Sequence, residues 1–201
     1  MSKIKKLISA LLVLVMAIAP CAALAEETID STVTIVVPFA AGGTSDILAR
    51  ILSPHLTEAL GQDVIVENKP GAGGNLGADV VAHAEPEGTT LLLMDVGTLA
   101  ISPSLYELTY DPQTDLSAVS MIAFTPYILA VSPNLPVNSF EELAAYSKEH
   151  PGEVKVAHSG VGAGNHLTEL VLSEELGLEW KIVAYNGGSD ASAPWSPASA
   201  T

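Results

Sequence analysis

The fold is decided by the stretch VTIVVPFAAGGTSD, residues 33–46, in which an apolar strand passes through a glycine turn into a helix. Two similar turns follow, ENKPGAGGNLG at residues 67–77 and SGVGAGNHL at residues 159–167. The first backbone N–H groups of a helix have no partner inside the helix, and the helix dipole favours negative charge beside them. Each turn can therefore hold an anion without a basic side chain.

The first half of the chain alternates between strands and helices. The predicted elements are strand 33–37, helix 44–60, strand 64–66, helix 75–84 and strand 90–94. Gly61 ends the first helix, and Pro54 should kink or split it. Because a β-α-β-α-β order favours parallel strands flanked by helices, we expect a parallel sheet.

The second half is patterned less regularly. Residues 96–120 show no clear periodicity, and the apolar run 122–131, broken by Pro126, could cross between two lobes. Ser139 and Glu142 form a capping box that begins a predicted helix. The predicted elements are helix 139–149, strand 154–157, helix 165–176, strand 180–185 and a disordered Ser-, Ala- and Pro-rich tail at 191–201.

The N-terminus has the features of a secretion signal. Three lysines precede the apolar stretch 7–18, which is too short to span a bilayer comfortably, and Ala23-Leu24-Ala25 is an A-x-A cleavage site. An uncleaved anchor and lipidation of Cys21 are the alternatives; Pro20 disfavours lipidation, because a small residue is expected before the lipidated cysteine. We therefore expect a periplasmic or otherwise extracytoplasmic protein.

Charge and cysteine content exclude several classes of function. Removal of residues 1–25 leaves five basic residues against 23 acidic ones, a formal charge of −18, which disfavours nucleic acids and anionic membranes. It also removes Cys21, the only cysteine, so that we expect no disulfide and no thiol nucleophile. No second apolar run reaches membrane-spanning length, and no direct membrane insertion is expected after cleavage.

The glycine turns do not match nucleotide-binding or hydrolase motifs. Asn165 stands where G-x-G-x-x-G requires its last glycine, and Leu76 does the same in the turn at 67–77. No P-loop motif occurs, and Ser159 lacks the flanking glycines of a nucleophile elbow. We therefore expect neither a catalytic residue nor a cofactor.

Four charged or ionisable residues near the turns have structural interpretations. His158 and His166 flank one turn and could lie close together, but a metal site needs three or four converging ligands. We therefore expect His158 to end a strand, His166 to pack near a helix start, and no bound metal. Asp46 and Arg50 are four residues apart, so we expect an ion pair along the first helix.

Several stretches resemble the extracytoplasmic receptors of tripartite tricarboxylate transporters, the Bug family of periplasmic solute-binding proteins. They are residues 36–46, 60–62, 66–75, 87–92, 103–106, 110–112, 159–167 and 185–188. The resemblance runs from about Val33 to Asp190, and Thr89 departs from it by standing at the family's aromatic position.

The resemblance implies a type II periplasmic-binding fold, in which two α/β lobes close on a ligand. It implies that residues 39–46 and 159–165 face each other across the cleft and hold a small carboxylate through backbone amides, hydroxyls and waters. The ligand-binding residues expected on this basis are Phe39, Ala40, Gly42, Gly43, Thr44, Asp46, Ser159, Gly160, Gly162 and Asn165. The implied partners are the membrane permease subunits of the transporter.

The resemblance also suggests how the chain is divided. We expect a signal peptide at 1–25, a first lobe at 26–125, part of a second lobe at 126–190 and the tail at 191–201. Because the family continues beyond this point and returns to complete the first lobe, we expect a C-terminally truncated receptor. A secreted hydrolase or isomerase, and an orphan sensory binding protein, are the alternative functions.

We predict export with cleavage between Ala25 and Glu26, because the short apolar stretch is followed by an A-x-A site. N-terminal sequencing of the exported protein checks this. A mature protein that begins at a lipidated Cys21, or that keeps Met1, would contradict it.

Overall fold

The structure of the chain is a computed structural model that describes residues 31–193. The predicted signal peptide, and residues 194–201 of the predicted tail, lie outside the described residues. Within residues 31–193, no helix combines the length and the apolar character needed to cross a bilayer.

The first half forms a three-stranded parallel sheet with the order β2-β1-β3, which confirms the predicted arrangement. Its elements are β1 (Val33–Val37), α1 (Thr44–Leu60), β2 (Val64–Asn68), a 3-10 turn (Ala72–Gly74), α2 (Asn75–Ala82) and β3 (Thr90–Leu92). In register, Val33 lies opposite Val64 and Thr34 opposite Thr90. The sheet therefore brings the turns after β1 and β2 to one edge.

Strand β1 lies at the centre of this sheet and is almost entirely buried. Four of its five side chains are buried and apolar, namely Val33, Ile35, Val36 and Val37. A continuous apolar run is what a central parallel strand needs, because helices cover both faces of such a sheet. Because this run is buried, β1 holds in place the start of the first turn, which follows it directly.

Helix α1 runs through Pro54 without interruption, so the prediction that this proline splits it is wrong. Pro54 is exposed, and the carbonyl that it deprives of a partner can bind water. Hydrogen bonds on both sides also tie the helix to β2: Ser53 Oγ donates to Val64 O, and Val64 N donates to Thr57 Oγ1 at 3.1 Å. As predicted, α1 ends at Gly61 in a left-handed conformation.

Helix α3 (Val96–Leu105) was missed in the segment that the sequence predicted to be irregular. Its apolar residues are spread around the helix, so no single apolar face appears in the sequence. Asp95 caps it by accepting a hydrogen bond from Thr98 N at 3.0 Å. Tertiary packing and this cap, rather than periodicity, define the helix.

The second half forms a separate two-stranded parallel sheet. Its elements are α4 (Phe140–Glu149), β4 (Lys155–His158), α5 (Gly164–Leu176), β5 (Lys181–Ala184) and α6 (Gly188–Ser192). Ser139 caps α4 as predicted, but the Glu142 carboxylate accepts from Asn138 N at 2.6 Å instead of from Ser139. A small core of Val137, Leu143 and Val154 joins α4 to this sheet.

Helix α6 corrects the predicted start of the irregular tail. Ala191 and Ser192 belong to this helix, and the Ala191 side chain is buried. The hydrogen bond from Ala191 N to Gly187 O at 3.0 Å closes its only full turn. Composition suggested a tail because Ala and Ser show no periodicity over so short a helix.

We predict that Gly77→Ala destabilises the chain, although alanine favours helices. A Cβ at Gly77 would lie 2.7 Å from Pro38 Cβ, 2.9 Å from Pro38 Cα and 3.1 Å from Lys69 O. Overpacking of this kind costs about 1–3 kcal/mol. Denaturant unfolding measures the loss. Gly188→Ala is the matched control, because a Cβ there meets nothing within 4 Å; equal stability of the two variants would contradict the prediction.

Candidate functional site

Four turns lie at the carboxyl ends of the strands. We define them as the first turn (residues 38–43), the second (69–74), the third (159–163) and the fourth (185–187), which follow β1, β2, β4 and β5 in that order. Parallel strands end at the same edge of a sheet, so each sheet contributes two turns. Ligand sites of parallel α/β folds form at this edge.

The first turn contacts the fourth. Ala40 N donates to Asn186 O at 2.9 Å, and Ser189 Oγ donates to Ala41 O at 2.9 Å. Gly187 has a φ of 154°, and a Cβ there would lie 3.0 Å from Ala40 N. Only glycine allows this approach, so the backbone of the fourth turn packs directly against the backbone of the first turn.

The second turn contacts the third. Tyr106 Oη donates to Val161 O at 2.8 Å, and a Cβ at Gly73 would collide with the same carbonyl oxygen. A Cβ at Gly160 would lie 3.2 Å from Gly73 Cα. Backbone thus packs directly on backbone, and the two sheets are joined at their glycine turns.

An open cleft of about 330 Å³ lies beside the second, third and fourth turns. It is lined by Ala72, Gly73, Tyr106, Gly160, Val161, Ala184, Tyr185, Asn186 and Asp190. Of the ten residues expected to bind ligand, Gly160 is the one in this lining. The sequence analysis did not assign Tyr106, Asn186 or Asp190 to the site, although the Asn-Gly-Gly turn after β5 was a usable signal.

The structure divides the ten expected residues into two groups. The first turn and the start of α1 hold Phe39, Ala40, Gly42, Gly43, Thr44 and Asp46, and the third turn and the start of α5 hold Ser159, Gly160, Gly162 and Asn165. The contacts described above join each group to another turn. The expectation that the two groups face each other across the cleft remains a prediction.

A second cavity of about 420 Å³ lies beside α3. Its lining includes Tyr106, Tyr110 and Pro112, and no glycine-turn residue. No helix starts there, so the cavity lacks the backbone donors that characterise the cleft. We therefore place the candidate site at the turns and not in this larger space.

Helix starts at the turns differ from helix starts elsewhere. Among the described helices, α3 and α4 are capped by the side chains of Asp95 and Ser139. In contrast α1, α2 and α5 have Gly43, Gly74 and Ala163 at the N-cap and no side-chain cap. The first N–H groups of α1 and α5 are therefore candidate hydrogen-bond donors next to the turns, apart from His166 N, which donates to Asn165 Oδ1 at 3.0 Å. In α2 the first two, Asn75 N and Leu76 N, already donate to Ala72 O and Gly71 O.

Asp46 organises the first turn and is not free to bind a ligand. The carboxylate is 2% exposed and accepts from Gly42 N at 2.8 Å, Arg50 Nε at 3.0 Å and Asn68 Nδ2 at 3.0 Å. The hydrogen bond from Arg50 lowers the pKa of Asp46 to about 2, with further lowering by Gly42 and Asn68, while burial acts in the opposite direction. The predicted Asp46–Arg50 pair is confirmed.

The basic side chains near the turns are already paired. Of the five lysine and arginine residues in the described chain, Arg50 is paired with Asp46, and Lys69 of the second turn with Glu67 at 2.7 Å, while Lys148 lies in the last turn of α4. Lys155 and Lys181 begin β4 and β5, at the sheet edge opposite the turns. An anion at the turns would therefore be held mainly by N–H groups and helix dipoles.

His158 and His166 hold the third turn from inside. Their rings lie 4.3 Å apart, His166 Nδ1 accepts from Gly162 N at 3.2 Å, and His158 Nδ1 donates to Gly160 O at 2.8 Å. Burial lowers the pKa of both rings, and the charge of His166 lowers that of His158 further, against the raising effect of Gly160. His158 ends β4 and His166 lies in the first turn of α5, as predicted.

Glu169 lies one helical turn beyond His166 in α5 and is 7% exposed. Burial raises its pKa to about 7, and its Oε2 atom has no hydrogen-bond partner among the described residues. The described residues contain no group of three His, Cys, Asp or Glu side chains placed to hold a metal ion. Glu169 and the two histidines are therefore separate features and not a ligand set.

Two α/β sheets whose glycine turns border an open cleft define the class of periplasmic solute-binding proteins, with a type II binding fold. Residues 48–194 match the family model described as the tripartite tricarboxylate transporter family receptor. The chain belongs to this family.

The relatives agree with this assignment. The chain is 38% identical over 171 residues to a UPF0065 protein of Agrobacterium vitis and 36% identical over 161 residues to BugT of Bordetella pertussis, covering 85% and 79% of this chain. It covers 49% of both relatives, so the chain spans about half the length of the curated relatives it matches.

Solved structures show the same fold. Rpa4515 of R. palustris with adipate is 34% identical with a TM-score of 0.79, over 83% of this chain and 56% of that one. MatC of Rhodopseudomonas palustris with bound malate is 34% identical with a TM-score of 0.77, over 83% and 57%. The periplasmic-binding fold inferred from the sequence is confirmed.

We predict that Asp46→Ala lowers the free energy of unfolding by about 2–3 kcal/mol, because Gly42 N–H and Asn68 lose a buried charged acceptor. Glu67→Ala is the control, since it breaks the exposed pair with Lys69 and should cost about 0–1 kcal/mol. Urea unfolding of both variants provides the comparison, and equal losses would contradict a structural role for Asp46.

Proposed function

We propose that the chain acts as an extracytoplasmic receptor that captures a small carboxylate for a tripartite tricarboxylate-type transporter. The observation that carries this proposal is the distribution of helix caps. Helices that start at the glycine turns have no side-chain cap, whereas α3 and α4 are capped by Asp95 and Ser139. Uncapped starts leave N–H donors, and carboxylate oxygens are suitable acceptors for them.

The comparisons support a carboxylate as the ligand. The family is one of transporter receptors, and two similar structures contain adipate and malate. Both are dicarboxylates, and two anionic ends suit a cleft bordered by more than one helix start. A receptor of this family binds its ligand without converting it, so we propose a binding role and not an enzymatic one. The proposed partners are the permease subunits of the transporter.

The proposed ligand donors lie beside the first turn and in the third turn. Gly42 N is already bonded to Asp46, and Ala40 N to Asn186. At the start of α1 we propose the N–H and hydroxyl groups of Thr44 as donors, and the neighbouring Gly43 gives the ligand room. In the third turn the Ser159 hydroxyl donates its one proton to Asn165 Oδ1 at 3.0 Å, and we propose that it exchanges this partner for the ligand carboxylate on binding.

The remaining expected residues would shape the site. Phe39 is half-buried and packs beside Gly74, where a Cβ would lie 3.2 Å from its ring. Gly160 and Gly162 set the path of the third turn through their bonds with the two histidines. Substitution of these residues would alter affinity by moving the donors and not by removing them.

We predict that Gly43→Val weakens carboxylate binding at least tenfold. Gly43 has a φ of −77°, so valine fits without backbone strain, and its Cβ would lie 3.4 Å from Ala40 O and 4.0 Å from Gly188 N, with its two methyl groups in the space proposed for the ligand. Ser159→Ala should weaken binding roughly tenfold or more, because a hydrogen bond to a charged group is worth about 1.5–3 kcal/mol. Isothermal titration calorimetry with adipate and malate measures both effects.

The titrations use the chain itself and the chain joined after Ala193 to the part of Rpa4515 that has no counterpart here. Lys155→Gln is the control, because it removes a positive charge at the far end of β4 and should change affinity less than about twofold. Adipamide tests the need for carboxylates. Equal binding of adipamide and adipate, or unchanged affinity in both variants, would overturn the assignment.

A further inference from the structure

One peptide unit of the third turn, which joins Val161 to Gly162, is hydrogen-bonded at both ends. Tyr106 Oη donates to Val161 O at 2.8 Å, and Gly162 N donates to His166 Nδ1 at 3.2 Å. A trans peptide unit is planar, and its C=O and N–H groups point in opposite directions. The orientation of this unit is therefore fixed by one side chain at the end of α3 and by one side chain of α5.

Without these two hydrogen bonds the unit would rotate at little cost. A rotation that exchanges the directions of its C=O and N–H groups changes mainly the ψ angle of Val161 and the φ angle of Gly162. Gly162 has a φ of 81°, and glycine adopts positive and negative φ values about equally readily. The Val161 side chain is 45% exposed and does not hold the unit by burial. The two side-chain hydrogen bonds are thus what selects one orientation.

The fold keeps a space for the Tyr106 side chain between the second and third turns. A Cβ at Gly73 would lie 2.9 Å from Tyr106 Oη, and a Cβ at Gly162 would lie 3.6 Å from Tyr106 Cε2. Burial raises the pKa of Tyr106, so its hydroxyl keeps its proton and remains a donor. Burial also lowers the pKa of His166, which favours the neutral ring that can accept from Gly162 N.

Tyr106 and Val161 both line the open cleft. The oxygen of a carbonyl group is the negative end of the peptide dipole, so a carbonyl that turned toward a bound carboxylate would repel it. The hydrogen bond from Tyr106 engages Val161 O and keeps it from turning in this way. The hydroxyl therefore affects the polarity of the cleft through the backbone of the third turn.

We propose that Tyr106 is a positioning residue of the carboxylate site, whose hydroxyl holds Val161 O away from the ligand and so makes the cleft prefer a carboxylate to a neutral amide. This inference rests on the proposed function and adds a determinant of selectivity to it. An amide group has N–H donors, so a carbonyl that is free to turn would accept from an amide but repel a carboxylate. Loss of the hydroxyl should therefore change selectivity and not affinity alone.

Tyr106→Phe removes the hydroxyl and keeps the ring. The two ligands are adipate and adipamic acid, which keeps one carboxylate and replaces the other with an amide. In calorimetric titrations of the full chain, Tyr106→Phe should weaken adipate binding about threefold to tenfold, the effect of one hydrogen bond, and leave adipamic acid binding unchanged or stronger. An equal loss for both ligands would indicate a general structural defect and would overturn the proposal.

Tyr110→Phe is the matched control. It also removes one tyrosine hydrogen bond, from Tyr110 Oη to Asn75 Oδ1 at 3.0 Å, but its partner lies in α2 and not in the third turn. The ratio of the two affinities should stay within about twofold of that of the unmodified chain, because the third turn keeps both of its bonds. A change of selectivity as large as that of Tyr106→Phe would contradict the assignment to Tyr106.

Amide hydrogen exchange tests the positioning without a ligand. In the ligand-free full chain, Tyr106→Phe should speed exchange of the Gly162 amide about threefold to tenfold, because its peptide unit loses one of two bonds, and should leave β1 protected. Unchanged Gly162 exchange overturns the proposal, whether or not adipate binds. An unmodified chain that binds no adipate would count against the proposed function, and Gly162 exchange then decides alone whether Tyr106 holds the unit.

Discussion

The carboxylate of Asp46 is the interaction on which the site depends. It links three segments of the chain, because it accepts from the backbone N–H of Gly42 in the first turn and from the side chains of Arg50 in α1 and Asn68 at the end of β2. Asn68 also donates to Phe39 O at 3.1 Å and so holds the turn from its other side. A buried carboxylate with several donors stabilises the turn, because each of its hydrogen bonds is charge-assisted.

This anchoring leaves the helix starts free for another role. Because the buried Asp46 side chain holds the first turn in place, the exposed N–H groups next to this turn are not needed for its stability. The third turn is held in the same way by two histidines: His158 Nδ1 donates to Gly160 O, and His166 Nδ1 accepts from Gly162 N. In both turns the buried side chains provide rigidity and the exposed backbone provides donors. Rigid donors lose little entropy when a ligand binds, which favours affinity.

The described part of the chain leaves apolar surface exposed. Its two sheets have three and two strands, and every residue of the stretch 117–131 is exposed. Glu169 in α5 adds a buried oxygen that has no hydrogen-bond partner among the described residues. Sheets this small bury little area on their own, so their stability depends strongly on whatever packs against them.

The order of the strands and of α1, α2, α4 and α5, the parallel first sheet, the cap at Ser139 and the Asp46–Arg50 pair could be predicted from the sequence, because they follow from contacts between near neighbours and from apolar periodicity. Tertiary packing is what keeps α1 continuous through Pro54, forms α3 and brings particular turns together. Ser189 and Ala41 are 148 residues apart, and no local pattern encodes such a contact. The sequence marks the fourth turn by its Asn-Gly-Gly, but its contact with the first turn at Gly187 could not be predicted, because that backbone-to-backbone approach depends on how the two sheets pack.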